Sequence, residues 1–245
     1  MSDRWLQVLP DADAAAQRAA DVIAGRLRAA VSAGRRFRLA LSGGLTPIPM
    51  FEALAAMSLP WGQVEIYQVD ERVAPLGSAR RNLTTIRAAF DRTGATIVAM
   101  PVESDDLARA TVRYEDGLPR DFDLVHLGLG LDGHTASLFP GDPAPGVLDR
   151  YVALSGVSRG LPGMTLTYRG LAKAVEIIWL ITGVAKAVPL ARLCADDSDI
   201  PAVGVKCERM RFVTDVGAVD ALKTHAPKGV HLWHRGTSPP APGRR

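Results

Sequence analysis

Short apolar runs alternate with amphipathic helical stretches along most of this chain, and that alternation leaves few folds open to it. Residues 37–41, 64–69, 96–100, 124–128 and 175–182 are apolar enough to read as strands. Between them, residues 11–34, 46–57, 82–92, 105–114 and 184–194 carry helical periodicity. Asp11 or Asp13 can cap the first helix and Gly34 can end it. Thr46 followed by Pro47 reads as an N-cap with proline at the first helical position. Residues 151–154 and 164–167 are shorter extended pieces, 211–213 a weak strand and 217–222 a weak helix. Strands that are apolar on both faces, each followed by a helix, predict an α/β fold: a mainly parallel sheet covered by helices on both faces.

The 245 residues suffice for one such domain. Its expected span is 1–234, with 235–245 a mobile Pro/Gly/Arg tail. The formal charge of +3 is matched by the three arginines of that tail, so the rest is neutral and charge gives nucleic acid no purchase. Cys194 and Cys207 form no CxxC pair and read as buried free thiols of a reducing compartment. The start of the chain is polar and no apolar run reaches 18 residues. These features predict a soluble, cytoplasmic protein without a membrane partner; the oligomeric state stays open.

In an open parallel sheet, ligands bind beyond the carboxyl ends of the strands. Three of the strands end in polar loops: Ser42-Gly43-Gly44-Leu45-Thr46-Pro47, then Asp70-Glu71-Arg72, then residues 128–135 with Gly128, Gly130, Asp132, Gly133 and His134. The first lets backbone N–H groups approach an anion at the start of a helix, so Ser42, Gly43, Gly44 and Thr46 are candidate phosphate ligands. It lacks the GK[ST] element of a nucleotide triphosphate loop. In the second, Arg72 can grip phosphate and Asp70 can accept from sugar hydroxyls.

Gly128, Gly130 and Gly133 in the third match a dinucleotide fingerprint, but the prolines and glycines at 140–146 predict a long loop where that motif needs a helix. His134 is the candidate base, because imidazole titrates near neutrality, and Asp132 is placed to orient it. His126, mid-strand, is expected in the core. His231 and His234 have metal-like spacing without an acidic or Cys partner nearby, so no metal and no cofactor are expected.

The stretches LALSGGLTP (39–47), VDER (69–72) and GLGLDGHTASLFPG (128–141), in this order, resemble the 6-phosphogluconolactonase family, and the last is long and specific. Arg81-Asn82 and the run from Ile181 through Lys186 are similar to further family segments, so the likeness covers about residues 8–222. The resemblance implies a Rossmann-like sheet related to the sugar-phosphate isomerase and deaminase folds. It implies hydrolysis of 6-phospho-D-glucono-1,5-lactone in the pentose phosphate pathway, without metal. It puts the family histidine on His134, the phosphate loop on Gly43 and Gly44, and the cationic ligands on Arg72 and Lys186. One departure stands out: Gly163 occupies the place of a family arginine, and Arg159 or Arg169 is expected to take over its contact. Competing readings are a glucosamine-6-phosphate deaminase or isomerase, which in these segments carries a glutamate shortly after the histidine, and a sugar-phosphate sensor without turnover. The run after His134, Thr-Ala-Ser-Leu-Phe-Pro, has no such glutamate.

Overall fold

The computed structural model describes residues 3–158, 160–224 and 230–232, with side chains of 223, 224 and 230–232 aside. The strands are β1 (Asp3–Leu9), β2 (Phe37–Leu41), β3 (Val64–Gln68), β4 (Asp70–Arg72), β5 (Thr96–Val98), β6 (Leu124–Leu127), β7 (Val152–Ser158), β8 (Leu161–Leu166), β9 (Ile177–Ile181), β10 (Arg209–Asp215) and β11 (Val230–Leu232). The α-helices are α1 (Ala12–Ser32), α2 (Ile48–Ala55), α3 (Asn82–Phe90), α4 (Leu107–Asp116), α5 (Tyr168–Leu171) and α6 (Ala187–Cys194).

Eight strands form one sheet in the order β11-β1-β10-β9-β6-β2-β3-β5, and every pair in it is parallel. Along β9, Ile177, Trp179 and Ile181 face one core while Ile178 and Leu180 face the other, the strand period of two. One core holds Ala19, Ile23 and Leu27 of α1 with Phe51 of α2 and Phe90 of α3. The opposite core holds Tyr114 of α4 and Leu190 of α6. The expected α/β class is therefore what the chain adopts, and no helix among the described residues is long and apolar enough to cross a membrane.

From β2 the chain moves outward through β3 to β5, then returns to place β6 on the other side of β2 and continues to β9 and β10. The order reverses between β2 and β6. Loops leaving adjacent strands at such a reversal diverge and leave a crevice, and this is where an open α/β sheet binds its ligand.

Several boundaries differ from expectation for physical reasons. Asp11 does cap α1, its carboxylate accepting from Ala14 N at 2.7 Å. Thr46 does not cap α2: the helix starts after Pro47, and residues 45–47 turn instead, with Ile48 N donating to Leu45 O. Asp70-Glu71-Arg72 is not a free loop but strand β4, antiparallel to β8 in a separate sheet of order β4-β8-β7. β10 is a full seven-residue central strand, because Arg211, which interrupts its apolar run, is buried against Glu176. β1 was hidden in the same way by Arg4 and Gln7, whose polar ends bond Asp196 and Arg18. The 235–245 tail, Arg159, His225 and His234 lie outside the described residues, as does the side chain of His231.

Candidate active site

A cleft of about 410 Å³ opens at the carboxyl edge between β2, β6 and β9. It is lined by Ser42, Gly43, Gly44 and Thr46 after β2, by Asp70 and Arg72 of β4, by Gly128, Gly130 and His134 after β6, and by Lys186 after β9. The residues of the three loops expected to touch ligand, and Lys186, thus line one cavity; Asp132 stands behind His134.

The third loop is folded around its histidine. His134 Nδ1 lies 2.5 Å from Asp132 Oδ1, and the His134 amide donates to the same oxygen at 3.2 Å. With Nδ1–H donated to the carboxylate, Nε2 is the nitrogen left with a lone pair. Partial burial acts to raise the Asp132 carboxyl, but the hydrogen bonds and charge of His134 outweigh it and hold Asp132 below the usual carboxylate range. Gly130 N donates to His134 O at 2.7 Å and Gly133 N to Gly130 O at 3.1 Å. A Cβ on Gly130 would lie 2.0 Å from His134 Nδ1, so only glycine admits the ring here. Gly133 has φ +83° and rests against Ile200. The Phe139 ring packs on His134 with centroids 4.5 Å apart. No helix follows Gly133: residues 135–150 run as loop with one short 3-10 turn at Ala144–Gly146.

In the second segment the three side chains divide. Glu71 is fully buried and accepts from the amides of Arg72, Asn82 and Leu83 and from Gln68 Nε2, all within 2.7–2.9 Å. It also pairs with Arg81 at 2.9 Å, and Arg81 reaches Glu103 at 2.7 Å. This carboxylate fastens β4 to the start of α3, where a negative charge is favoured. Asp70 turns to the cleft and accepts from Ser137 Oγ at 2.8 Å and Ser42 Oγ at 3.2 Å. Burial pushes its carboxyl up; the Ser137 bond and the Arg72 charge pull it part of the way back, and Glu71 adds to the rise. Arg72 Nε is buried with no hydrogen-bond partner among the described residues.

Gly163 sits directly across β4 and β8 from Arg72, and across β7 and β8 from Ser155. A Cβ there would stand 2.8 Å from Ser155 Oγ and 3.0 Å from Glu71 O, so neighbouring groups have closed the space. Arg169 does not replace the absent arginine. It donates to Asp149 O and Tyr151 Oη, lies 4.7 Å over the Tyr151 ring, and does not line the cleft. Lys186 does reach the cleft, where its Nζ donates to Leu129 O at 2.5 Å.

Sequence reasoning gave no ligand role to three further wall residues: Asn82 donates Nδ2 to Asp70 O at 2.9 Å, Thr182 closes the β9 side, and His126 forms part of the wall although it is almost fully buried. Ser137, outside the lining, holds Asp70. A polar residue inside the apolar run Leu-Val-His-Leu was the available signal for His126.

A parallel sheet with its cleft at the strand reversal, a glycine loop on one side and a carboxylate-held histidine on the other, defines a Rossmann-like α/β protein. Residues 10–214 match the family described as glucosamine-6-phosphate isomerases/6-phosphogluconolactonase, and the chain belongs to that family. It is similar to a protein of a Nostoc species named 6-phosphogluconolactonase, at 36% identity over 210 residues, 80% of this chain and 87% of the relative. A Synechocystis protein of the same name is 34% identical over 197 residues, 75% of this chain and 82% of that one. Among solved structures, the 6-phosphogluconolactonase of Thermotoga maritima superposes with a TM-score of 0.78 at 26% identity, covering 86% of this chain and all of that one. A monomeric glucosamine-6-phosphate deaminase gives 0.78 at 18% identity over 89% and 99% of the two chains, which shows the shared fold.

Proposed function

We propose that this chain hydrolyses 6-phospho-D-glucono-1,5-lactone to 6-phospho-D-gluconate, the second step of the oxidative pentose phosphate pathway. The observation that carries the reading is the His134–Asp132 pair placed across one cleft from a glycine loop and Arg72. Relatives that bear the lactonase name at 34–36% identity support it. The two unpaired cysteines, the buried Cys194 thiol pushed up to about 11 by burial, fit a reducing compartment such as the cytoplasm.

Hydrolysis of a cyclic ester needs a base to take a proton from water as it attacks the C1 carbonyl. His134 Nε2 serves, with Asp132 fixing the ring and compensating the imidazolium that forms. The tetrahedral intermediate collapses by expelling the ring oxygen, and the same imidazolium returns the proton to it. One histidine thus covers both half-steps, and the chemistry requires neither a covalent intermediate nor a metal. The amides of Gly130, Gly133 and His134 are used inside the loop and so are not the donors to the oxyanion of the intermediate. Residues 42–47, Arg72 and Lys186 hold the 6-phosphate, and Asp70 accepts from a sugar hydroxyl. This remote grip orients C1 and supplies binding energy that is used at the reacting carbon.

A deaminase on this scaffold is less well supported, because Phe139 packs on His134 and Asp132 is its sole carboxylate contact among the described residues. The test is a coupled lactonase assay on the wild type and His134→Ala. Wild-type turnover well above spontaneous lactone opening is expected, with a loss of about 10²–10⁴-fold in the variant while 6-phosphogluconate still binds. Wild-type binding without turnover would make the chain a sensor. Undiminished turnover in the variant would remove His134 from the mechanism.

A further inference from the structure

His126 is polar where its surroundings call for an apolar residue. It stands on β6 between Leu41 of β2 and Ile178 of β9, its cross-strand neighbours, and the Phe51 ring meets it edge-on at 6.1 Å. By strand alternation it shares its face with Leu124, in the core of α1 and α2. Its exposure is 1%, and neither ring nitrogen makes a well-formed hydrogen bond to a described residue, although the Ser42 backbone lies close enough to act on the ring. Buried polar groups in native proteins are nearly always paired, so an unpaired one calls for an explanation.

The position supplies it. His126 is the last described wall residue before Gly128 on its strand, it lines the cleft beside Ser42 and Gly43, and Ser42 N donates to its backbone carbonyl at 3.3 Å. We propose that His126 is a specificity residue at the floor of the anion site, giving a ring N–H to an oxygen of the phosphate that residues 42–47 and Arg72 hold. The proposal rests on reading this cleft as a sugar-phosphate site. Burial pushes the imidazole down to about 3, with the Ser42 backbone acting weakly the other way, so the ring is neutral and carries one donor. An ionised phosphate oxygen accepts, and a donor in a dry pocket suits it without a second buried cation. A leucine here would complete the apolar face and offer the anion nothing.

The experiment follows ring nitrogen and backbone amide signals of ¹⁵N-labelled full-length protein as inorganic phosphate is added. A saturable shift of the His126 ring signals, in step with the Gly43 and Gly44 amides, is expected. His126→Leu should weaken phosphate and 6-phosphogluconate binding about tenfold, as for loss of one hydrogen bond to a charged group. It should raise KM with kcat largely kept, and His126→Gln, which keeps an N–H, should recover part of the affinity. Phosphate that moves the glycine amides but leaves the His126 ring unmoved would overturn the proposal and leave the anion loop standing, as would His126→Leu with wild-type affinity. Phosphate that moves none of them would bring down the reading of the cleft itself, and this role with it. The wild-type titration decides even if the leucine variant does not fold.

Discussion

His134 Nδ1 and Asp132 Oδ1 are 2.5 Å apart, and the backbone amide of His134 donates to the same carboxylate oxygen. One carboxylate thus fixes both the ring and the loop that carries it. Since its carboxyl is held below the usual range, Asp132 stays ionised throughout the neutral region in which a lactonase is assayed. Asp132→Asn keeps the size but lets the amide NH2 donate to Nδ1, which favours the tautomer with no lone pair on Nε2. We expect kcat to fall by about 10²–10⁴-fold with KM nearly unchanged. A loss seen in KM alone would show that Asp132 handles substrate and not the base.

Gly130 tests whether the loop's geometry, and not only its residues, matters. Its φ is not in the left-handed region, so alanine is tolerated by the backbone there, yet the added Cβ falls 2.0 Å from His134 Nδ1 and 2.6 Å from Asp132 Oδ1. Either the ring or the loop must move. Gly130→Ala should lower kcat by about 10²-fold or more, the scale of an ångström of misplacement, while affinity for inorganic phosphate stays near wild type. Steady-state kinetics beside phosphate titration separates the two; equal losses in both would mean that the whole cleft collapses.

The alternation of strand and helix was legible because the parallel strands are buried on both faces and hence apolar end to end, as Ile177–Ile181 is. What escaped was the strand whose charge is neutralised inside: Arg211 breaks the apolar run of β10, and only the fold reveals Glu176 beside it. The site was legible to the extent that chemistry follows strand ends, so His134, Arg72 and the glycine loop fell on one cleft, with Asp132 bonded to His134. The roles of Glu71, Asn82 and Ser137 come from partners 11, 12 and 67 residues away, which no local pattern can show. Gly163 was visible as a departure, but its consequence depends on Ser155, which lies across a second strand.

Asp70 gives a stability prediction with a definite sign. Burial raises its carboxyl, so the folded state favours the protonated form. Stability then declines as pH rises from the ordinary carboxyl value through the raised one, and above that window the ionised Asp70 is a standing cost. Asp70→Asn keeps an acceptor oxygen for one of the two serines, lets its NH2 donate to the hydroxyl of the other, and removes the cost. The variant should melt a few degrees above wild type at pH 7–8, and the gain should shrink as pH falls through the window. It should also bind 6-phosphogluconate more weakly, if Asp70 accepts from a sugar hydroxyl. Thermal melts of both proteins across this range check the sign; a gain that grows toward acid would contradict it.

Arg72 concentrates the cleft's dependence on a single guanidinium. The strand position opposite it is Gly163, closed off by Ser155 Oγ and Glu71 O, and Arg169 is engaged with Asp149 and Tyr151. Among the described lining residues, Lys186 is the other cation, and its Nζ already donates to Leu129 O. Arg72 Nε is buried without a partner among the described residues, which suits a group waiting for an anion. Removing the side chain therefore takes away charge-assisted hydrogen bonds worth about 1.5–3 kcal/mol each. Arg72→Ala should weaken 6-phosphogluconate by about 10²-fold and leave the far weaker binding of gluconate, which has no phosphate, almost unchanged. Calorimetric titration with both ligands measures the difference. Parallel losses for the two would place Arg72 on the sugar instead, and Gly163→Arg would not rescue the variant, because Ser155 and Glu71 fill the space that its side chain needs.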